Sequence, residues 1–295
     1  MGCCPHPWGN AARLRQTLQA SAEGLSAPTP RAMFVKEGRL PGRLQDRCAL
    51  VTGAGRGLGA HIAVALAREG AHIVVHHHTS GDGAKAVADQ VRAMGRDAVI
   101  VQADVTSWEQ VRRLADEAFA AFGRLDVLVN NVGDVAPEQM SWRDLTEPVL
   151  DRVLSVDIKG TLLVTHEVGQ RMVAAGGGAI VNVSSNVVVT GSARAPQYAA
   201  SKYAVLGITK SYAHAFAPSV RVNALGPGFI EVESTLTRRD WTPERRQSIV
   251  DRTPLNRIAR PEHVTGVVVF LASDDSQHMT GSFLVCDGGF SMVGA

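Results

Sequence analysis

The sequence predicts an α/β fold, a single doubly wound domain in which a seven-stranded parallel sheet is flanked by helices on both faces. Three observations carry this. From Cys48 onward, short β-branched runs alternate with segments of helical period, the pattern of strands that each return through a crossover helix. A glycine-rich turn stands between the first strand and the first amphipathic helix. After residue 45 no repeat, low-complexity linker or composition shift breaks the chain into a second domain.

In chain order, residues 1–45 mix Pro, Gly, Ser, Ala and scattered Arg without sustained periodicity, which predicts a disordered tail outside the fold. The domain is expected over 46–295. Its strands are predicted at 49–52, 73–76, 98–102, 127–129, 179–183, 220–224 and 283–286. Between them, Leu58/Ile62/Ala65/Leu66, Ala84/Val87/Val91/Met94 and Val111/Leu114/Ala118/Phe122 recur every three or four residues. Each set marks one apolar stripe that packs a helix on the sheet. The segment 229–253 is polar, charged and longer than a tight connection.

Composition narrows the function classes. The chain is 45% hydrophobic and 20% charged, with a formal net charge of +2. Residues 1–45 carry six Lys/Arg against two acids, which leaves 24 basic and 26 acidic residues in the rest. The domain is therefore not basic, and nucleic acid is excluded as a partner. No apolar run is long enough to span a membrane, and none of the first 30 residues forms a secretory apolar core. The Met1-Gly2-Cys3-Cys4 start has His6 where an acylation signal needs Ser or Thr. The four cysteines lack disulfide or zinc spacing, so a cytoplasmic setting without a metal is expected.

The turn reads Thr52-Gly53-Ala54-Gly55-Arg56-Gly57-Leu58-Gly59. Glycines there let the backbone turn tightly and approach a pyrophosphate, and the following helix offers its free N–H groups and partial positive charge. In NAD-binding versions of this arrangement, an acid about 20 residues on accepts from the ribose 2′-OH. Here that place holds His77, followed by Thr79 and Ser80, and no carboxylate repels a 2′-phosphate. Arg56, Thr79 and Ser80 are the candidates to receive one. NADP(H) is favoured, with NAD(H) the alternative. The run His76-His77-His78 does not read as a metal cluster, because neighbours on a strand point to opposite faces; it reads as a polar strand end.

Tyr198 and Lys202 lie four residues apart, hence on one face of a helix. A phenol is a poor acid/base near neutral pH unless a cation beside it favours the phenolate. Ser184 and Ser185 end the apolar strand before them. From these residues, together with Asp104, Asn130-Asn131-Val132-Gly133, Asn223, Pro227-Gly228 and Thr280-Gly281 to Asp287-Gly288-Gly289, the chain resembles the short-chain dehydrogenase/reductase family over about 250 residues, with a Rossmann-type fold. It looks most like the 3-oxoacyl carrier-protein reductases of that family.

The resemblance implies hydride transfer between a nicotinamide cofactor and a carbonyl or alcohol. Ser185 resembles the serine that binds the substrate oxygen, Tyr198 the proton donor or acceptor, and Lys202 the residue that tunes the tyrosine and holds the nicotinamide ribose. Asp104 and Val105 look like adenine contacts, Asn131, Val132 and Gly133 like the strand end beside the cofactor, and Pro227, Gly228 and Ile230 like the carboxamide side. The family resemblance also implies that 229–253 is a lid over the substrate, and a homotetramer built on helices at 157–174 and 198–217; Val205, Ile208 and Tyr212 are either outward contacts there or core.

Three positions depart from the family pattern. Val132 replaces an alanine, and Val232 replaces a threonine, with Ser234 or Thr235 as stand-ins. Asp157 stands where the family has an asparagine that anchors a relay water. Val187, Val188, Val189 and Val135 would make the substrate pocket apolar, while Arg238, Arg239, Arg245 and Arg246 form either an anion-binding rim or a solvated helix face. Two other functions stay open: an NAD-dependent secondary-alcohol dehydrogenase, and a non-catalytic dinucleotide sensor on the same fold.

Overall fold

The computed structural model describes residues 42–134 and 140–292. The expected tail up to residue 41 and Val135 lie outside the described residues. Seven parallel strands form one sheet in the order β3-β2-β1-β4-β5-β6-β7. They are β1 (Cys48–Val51), β2 (His72–His77), β3 (Ala98–Gln102), β4 (Val127–Asn130), β5 (Gly178–Val183), β6 (Val220–Pro227) and β7 (Phe283–Cys286). Ten α-helical segments accompany them: α1 (Gly57–Arg68), α2 (Gly81–Ala93), α3 (Trp108–Phe122), α4 (Glu147–Val153), α5 (Thr161–Ala174), α6 (Val187–Thr190), α7 (Pro196–Ala215), α8 (Glu233–Leu236), α9 (Pro243–Asp251) and α10 (Pro261–Ala272).

A parallel strand is covered on both faces, so its sequence is apolar throughout rather than alternating. β1 shows this: all four residues of Cys-Ala-Leu-Val are buried. Its side chains nevertheless divide between the two faces. Ala49 and Val51 join a core with Ile62 and Leu66 of α1, Val87 and Val91 of α2, and Val264 and Val268 of α10. Cys48 and Leu50 join a second core with Leu114 of α3, Leu163 and Met172 of α5, and Phe216 after α7. Leu50 is paired in register with Val74 on one side and Leu128 on the other, at the centre of the sheet.

Strand order reverses at β1, because β2 and β3 lie to one side and β4 to β7 to the other. Loops leaving β1 and β4 then diverge and open a crevice at the carboxyl edge, where ligands of such sheets bind.

Two expectations change in detail. β6 runs to Pro227, three residues beyond the predicted end, because Ala224–Pro227 pairs in register with Phe283–Cys286 of β7. Proline and glycine read as turn residues locally, yet at a strand end a proline carbonyl still accepts, as that of Pro227 does from Asn186 N–H at 2.9 Å. Met94 falls after the last residue of α2 and is exposed, so the apolar stripe of that helix stops at Val91.

Leu128 is fully buried between the two layers. Leu128→Ala is expected to lower unfolding stability by about 3 kcal/mol, read as a lower urea midpoint at unchanged slope.

Candidate active site

The glycine turn is held by the strands on both sides of β1. Thr52 N–H donates to the Val129 carbonyl, and the Asn131 side chain donates back to the Thr52 carbonyl, each at 3.0 Å. On the other side, Ala54 N–H donates to the His76 carbonyl at 2.8 Å, and Gly53 N–H donates to His76 Nδ1 at 3.0 Å. Nδ1 is therefore the unprotonated ring nitrogen, and His76 Nε2–H donates to the Ala103 carbonyl at 3.0 Å. Gly53 has φ +64°, in the left-handed region that a side chain strains. A Cβ at Gly59 would run into the Gly53 carbonyl, so α1 packs this closely on the turn only with glycine there.

α1 opens after Arg56 with no side-chain cap and no acid in its first turn. Its leading N–H groups and the positive end of its dipole are thus offered to an anion. Arg56 is exposed, and Gly55 packs directly against Ser80. Ser234 of α8 lies over the turn, its Oγ 3.8 Å from where a Cβ of Gly57 would be.

At the end of β2 the three histidines have three different environments. His76 is buried beneath the turn, His78 is exposed, and His77 is 8% exposed. His77 Nδ1 is buried without a hydrogen-bond partner among the described residues. The run does end β2, with two of its three rings buried, since the turn on one side and α2 on the other close over them. No group of His, Cys, Asp and Glu that would hold a metal ion occurs among the described residues. Thr79 is exposed beside them, and Asp104 and Val105 follow β3. Partial burial opposes ionisation of Asp104, but the N–H and hydroxyl of Thr106, at 2.9 and 2.8 Å, hold its carboxyl below the usual carboxylate range.

The remaining candidates converge from β4, β5 and α7. Ser185, 8% exposed, follows β5, and its Oγ accepts Val187 N–H at 3.2 Å. Tyr198 and Lys202 occupy one face of α7, 5% and 4% exposed. Lys202 Nζ lies 5.4 Å from the centre of the Tyr198 ring. Val187, Val188, Ala195 and Ala199 pack with Tyr198 in a small apolar cluster, whereas Val189 points to solvent. Asp157 sits in a π-helical turn, Leu154–Gly160, that joins α4 to α5. Its Oδ2 is 3.3 Å from Lys202 Nζ. It is thus paired with the lysine directly. Asn131 N–H and Val132 N–H share the Thr52 hydroxyl at 2.9 and 3.2 Å, and Gly133 passes next to Lys202. Pro227 ends β6, Gly228 N–H donates to the Cys286 carbonyl at 3.1 Å, and Ile230 is buried against Ala259.

Within 229–253, Arg238, Arg245 and Arg246 are engaged in ion pairs, while Arg239 is exposed. Arg238 Nε and Arg194 Nη1 reach Asp240 at 3.0 and 2.9 Å, and Arg245 pairs with the same carboxylate. Partial burial would raise the Asp240 pKa, but these arginines hold it below the usual range. Arg246 pairs with Glu231 at 2.7 Å. Of the residues proposed as outward contacts, Val205 and Ile208 are buried and Tyr212 is part of the core margin.

Sequence reasoning passed over His76, Ser201 and Arg194. Ser201 lies one residue before Lys202 and donates to Asp157 Oδ2 at 2.9 Å. The spacing Tyr198-Ser201-Lys202 held that signal, since i+3 and i+4 share a helix face.

Residues 53–291 match the family model described as enoyl-(acyl carrier protein) reductase. The chain is 39% identical over 249 residues to the cis-4-hydroxycyclohexanecarboxylate dehydrogenase of Sinomonas cyclohexanicum, covering 84% of this chain and 98% of that one. It is 35% identical over 247 residues to a 3-oxoacyl-[acyl-carrier-protein] reductase of Staphylococcus aureus, covering 83% and 98%. Among solved structures it is similar to a 7α-hydroxysteroid dehydrogenase complexed with NADH and 7-oxo glycochenodeoxycholic acid, at a TM-score of 0.79 and 30% identity over 84% and 95% of the two chains.

The His76 contacts make the turn acid-sensitive. Burial pushes the His76 pKa down to about 4, with the bond to Ala103 opposing it. Between about pH 6.5 and 4 the unfolded chain binds a proton that the folded one refuses, so stability falls as pH drops through that window. Relative to His76→Gln, the wild type is expected to lose on the order of 3 kcal/mol from pH 7 to pH 4, measured by urea unfolding at each pH.

Proposed function

The chain belongs to the short-chain dehydrogenase/reductase family, oxidoreductases that use a nicotinamide dinucleotide, and on that basis we propose that it is an NADP(H)-preferring enzyme that interconverts a ketone or 3-oxoacyl-type carbonyl and a secondary alcohol. The observation that supports this best is the burial of Tyr198 and Lys202 on one face of α7, against Val187 and Val188, with Ser185 at the end of β5.

The site fits the cofactor on its own features. The turn leaves α1 uncapped, and the buried His77 Nδ1 lacks a partner where a ribose would lie. Gly53, Gly55, Arg56, Gly57, Leu58 and Gly59 would hold the pyrophosphate side, Asp104 and Val105 the adenine, and Asn131, Gly133, Lys202, Pro227, Gly228 and Ile230 the nicotinamide end. When bound, the dinucleotide supplies or accepts the hydride. Preference for the 2′-phosphate rests on Arg56, Thr79 and Ser80, with no carboxylate from 77 to 80.

Tyr198 gives its proton to the carbonyl oxygen in reduction and takes one in oxidation. Val187 N–H occupies a lone pair of Ser185 Oγ, which leaves the serine's own proton free to donate to the substrate oxygen and stabilise its developing charge. The 229–253 segment covers the substrate, and Asp240 ties it through Arg194 to the start of α7. An apolar substrate body suits Val187 and Val188. The cyclic alcohol and the steroid acid in the names of two relatives are of this kind. Exposed Leu154, Leu162, Val173 and Tyr203 offer apolar surface for the proposed homotetramer.

Oxidation of NADPH and NADH with a panel of cyclic ketones and β-keto thioesters tests this reading. Tyr198→Phe is expected to lower kcat/KM by about 10³-fold while cofactor binding persists. Turnover unchanged in Tyr198→Phe would overturn it.

A further inference from the structure

Asp157 is fully buried, and three donors surround its carboxylate. Asp134 N–H reaches Oδ1 at 2.6 Å, Ser201 O–H reaches Oδ2 at 2.9 Å, and Lys202 Nζ stands 3.3 Å from Oδ2. The same ammonium lies 5.4 Å from the Tyr198 ring centre. Backbone closes a further side, since a Cβ at Gly133 would come within 2.8 Å of Nζ and 3.5 Å of Asp157 Oδ1.

An isolated ammonium favours the phenolate beside it. A carboxylate at ion-pair distance turns that monopole into a dipole, whose field falls off faster. We infer that Asp157 is the counter-ion of Lys202, a positioning residue that aims the ammonium and cancels much of its field at Tyr198. The site thereby keeps Tyr198 as a phenol to higher pH than a neutral residue at 157 would, and at neutral pH it is poised to donate a proton to a carbonyl rather than to take one from an alcohol. This rests on the reading of Tyr198 as the acid/base.

Other charges on the surrounding elements are engaged or turned away. Asp134 pairs with Arg152 at 2.7 Å, and Arg194 with Asp240 at 2.9 Å. Lys159, on the same π-helical turn, is exposed and acts on Asp104. Glu147 and Asp151 of α4 are exposed, and Lys210 and His214 lie further along α7. Among the described residues, the Asp157–Lys202 pair is the buried ion pair that stands beside the Tyr198 ring.

Ultraviolet difference titration of the apoprotein reads this without cofactor, substrate or turnover. The chain has three tyrosines, and subtraction of the matching Tyr198→Phe protein isolates one. Asp157→Asn is expected to lower the Tyr198 midpoint by about one pH unit or more; an unchanged or raised midpoint overturns the inference. Asp157→Asn leaves a buried ammonium without its partner, which endangers folding, whereas removing both charges does not. A second comparison therefore sets the wild type against the double variant carrying Lys202→Met and Asp157→Asn, which removes both charges. The two Tyr198 midpoints are expected to lie within about half a pH unit, and a double variant that titrates a full unit or more higher overturns the inference. Should Tyr198→Phe keep full turnover, the proposed function falls instead; should the Asp157→Asn midpoint stay fixed while Tyr198 is essential, only the counter-ion role falls.

Discussion

The placement of β1 between β2 and β4, parallel to both, is the constraint on which the rest of the structure depends. It puts the carboxyl ends of three strands at one edge and sends their loops apart. The turn after β1 then has His76 of β2 on one flank and Asn131 after β4 on the other, and both hydrogen-bond its backbone. A loop bonded on both sides is a rigid surface that needs no rearrangement to meet a phosphate.

The side that carries Tyr198 and Lys202 is built differently, around buried polar side chains. Asn130 donates to Thr165 and to Asn182 at 2.9 and 2.8 Å, and Asn182 donates to Thr209 at 2.9 Å. Ser184 Oγ donates to the Lys202 carbonyl at 2.9 Å. These bonds fasten α5 and α7 to β4 and β5 where no solvent competes, and so fix the height at which Tyr198 and Lys202 stand above the sheet. The proposed cover, 229–253, is held in part by ion pairs at the surface, such as Arg246 with Glu231, each worth about 0–1 kcal/mol.

The sheet was legible because buried parallel strands write themselves as β-branched runs, and β3 and β7 were read to the residue. β6 was not, because the register with β7 that extends it is a long-range pairing with no local mark. Tyr198, Lys202 and Ser185 were legible as a spacing. The partner of Lys202 was not: Asp157 stands 45 positions earlier, and only the π-helical turn brings it against α7. Likewise His77 was read as a strand-end residue, but its burial depends on α2 folding back over it, which no local pattern states.

The claim on which the functional reading turns is that the crevice between the β1 and β4 loops holds a phosphorylated dinucleotide. Isothermal titration of the protein with NADPH and NADH, repeated on Arg56→Ala, tests it most directly. NADPH is expected to bind more tightly than NADH, and Arg56→Ala to narrow the difference by roughly tenfold, as the loss of one charge-assisted contact would. Binding of neither nucleotide, or equal binding of both that Arg56→Ala leaves unchanged, would contradict it.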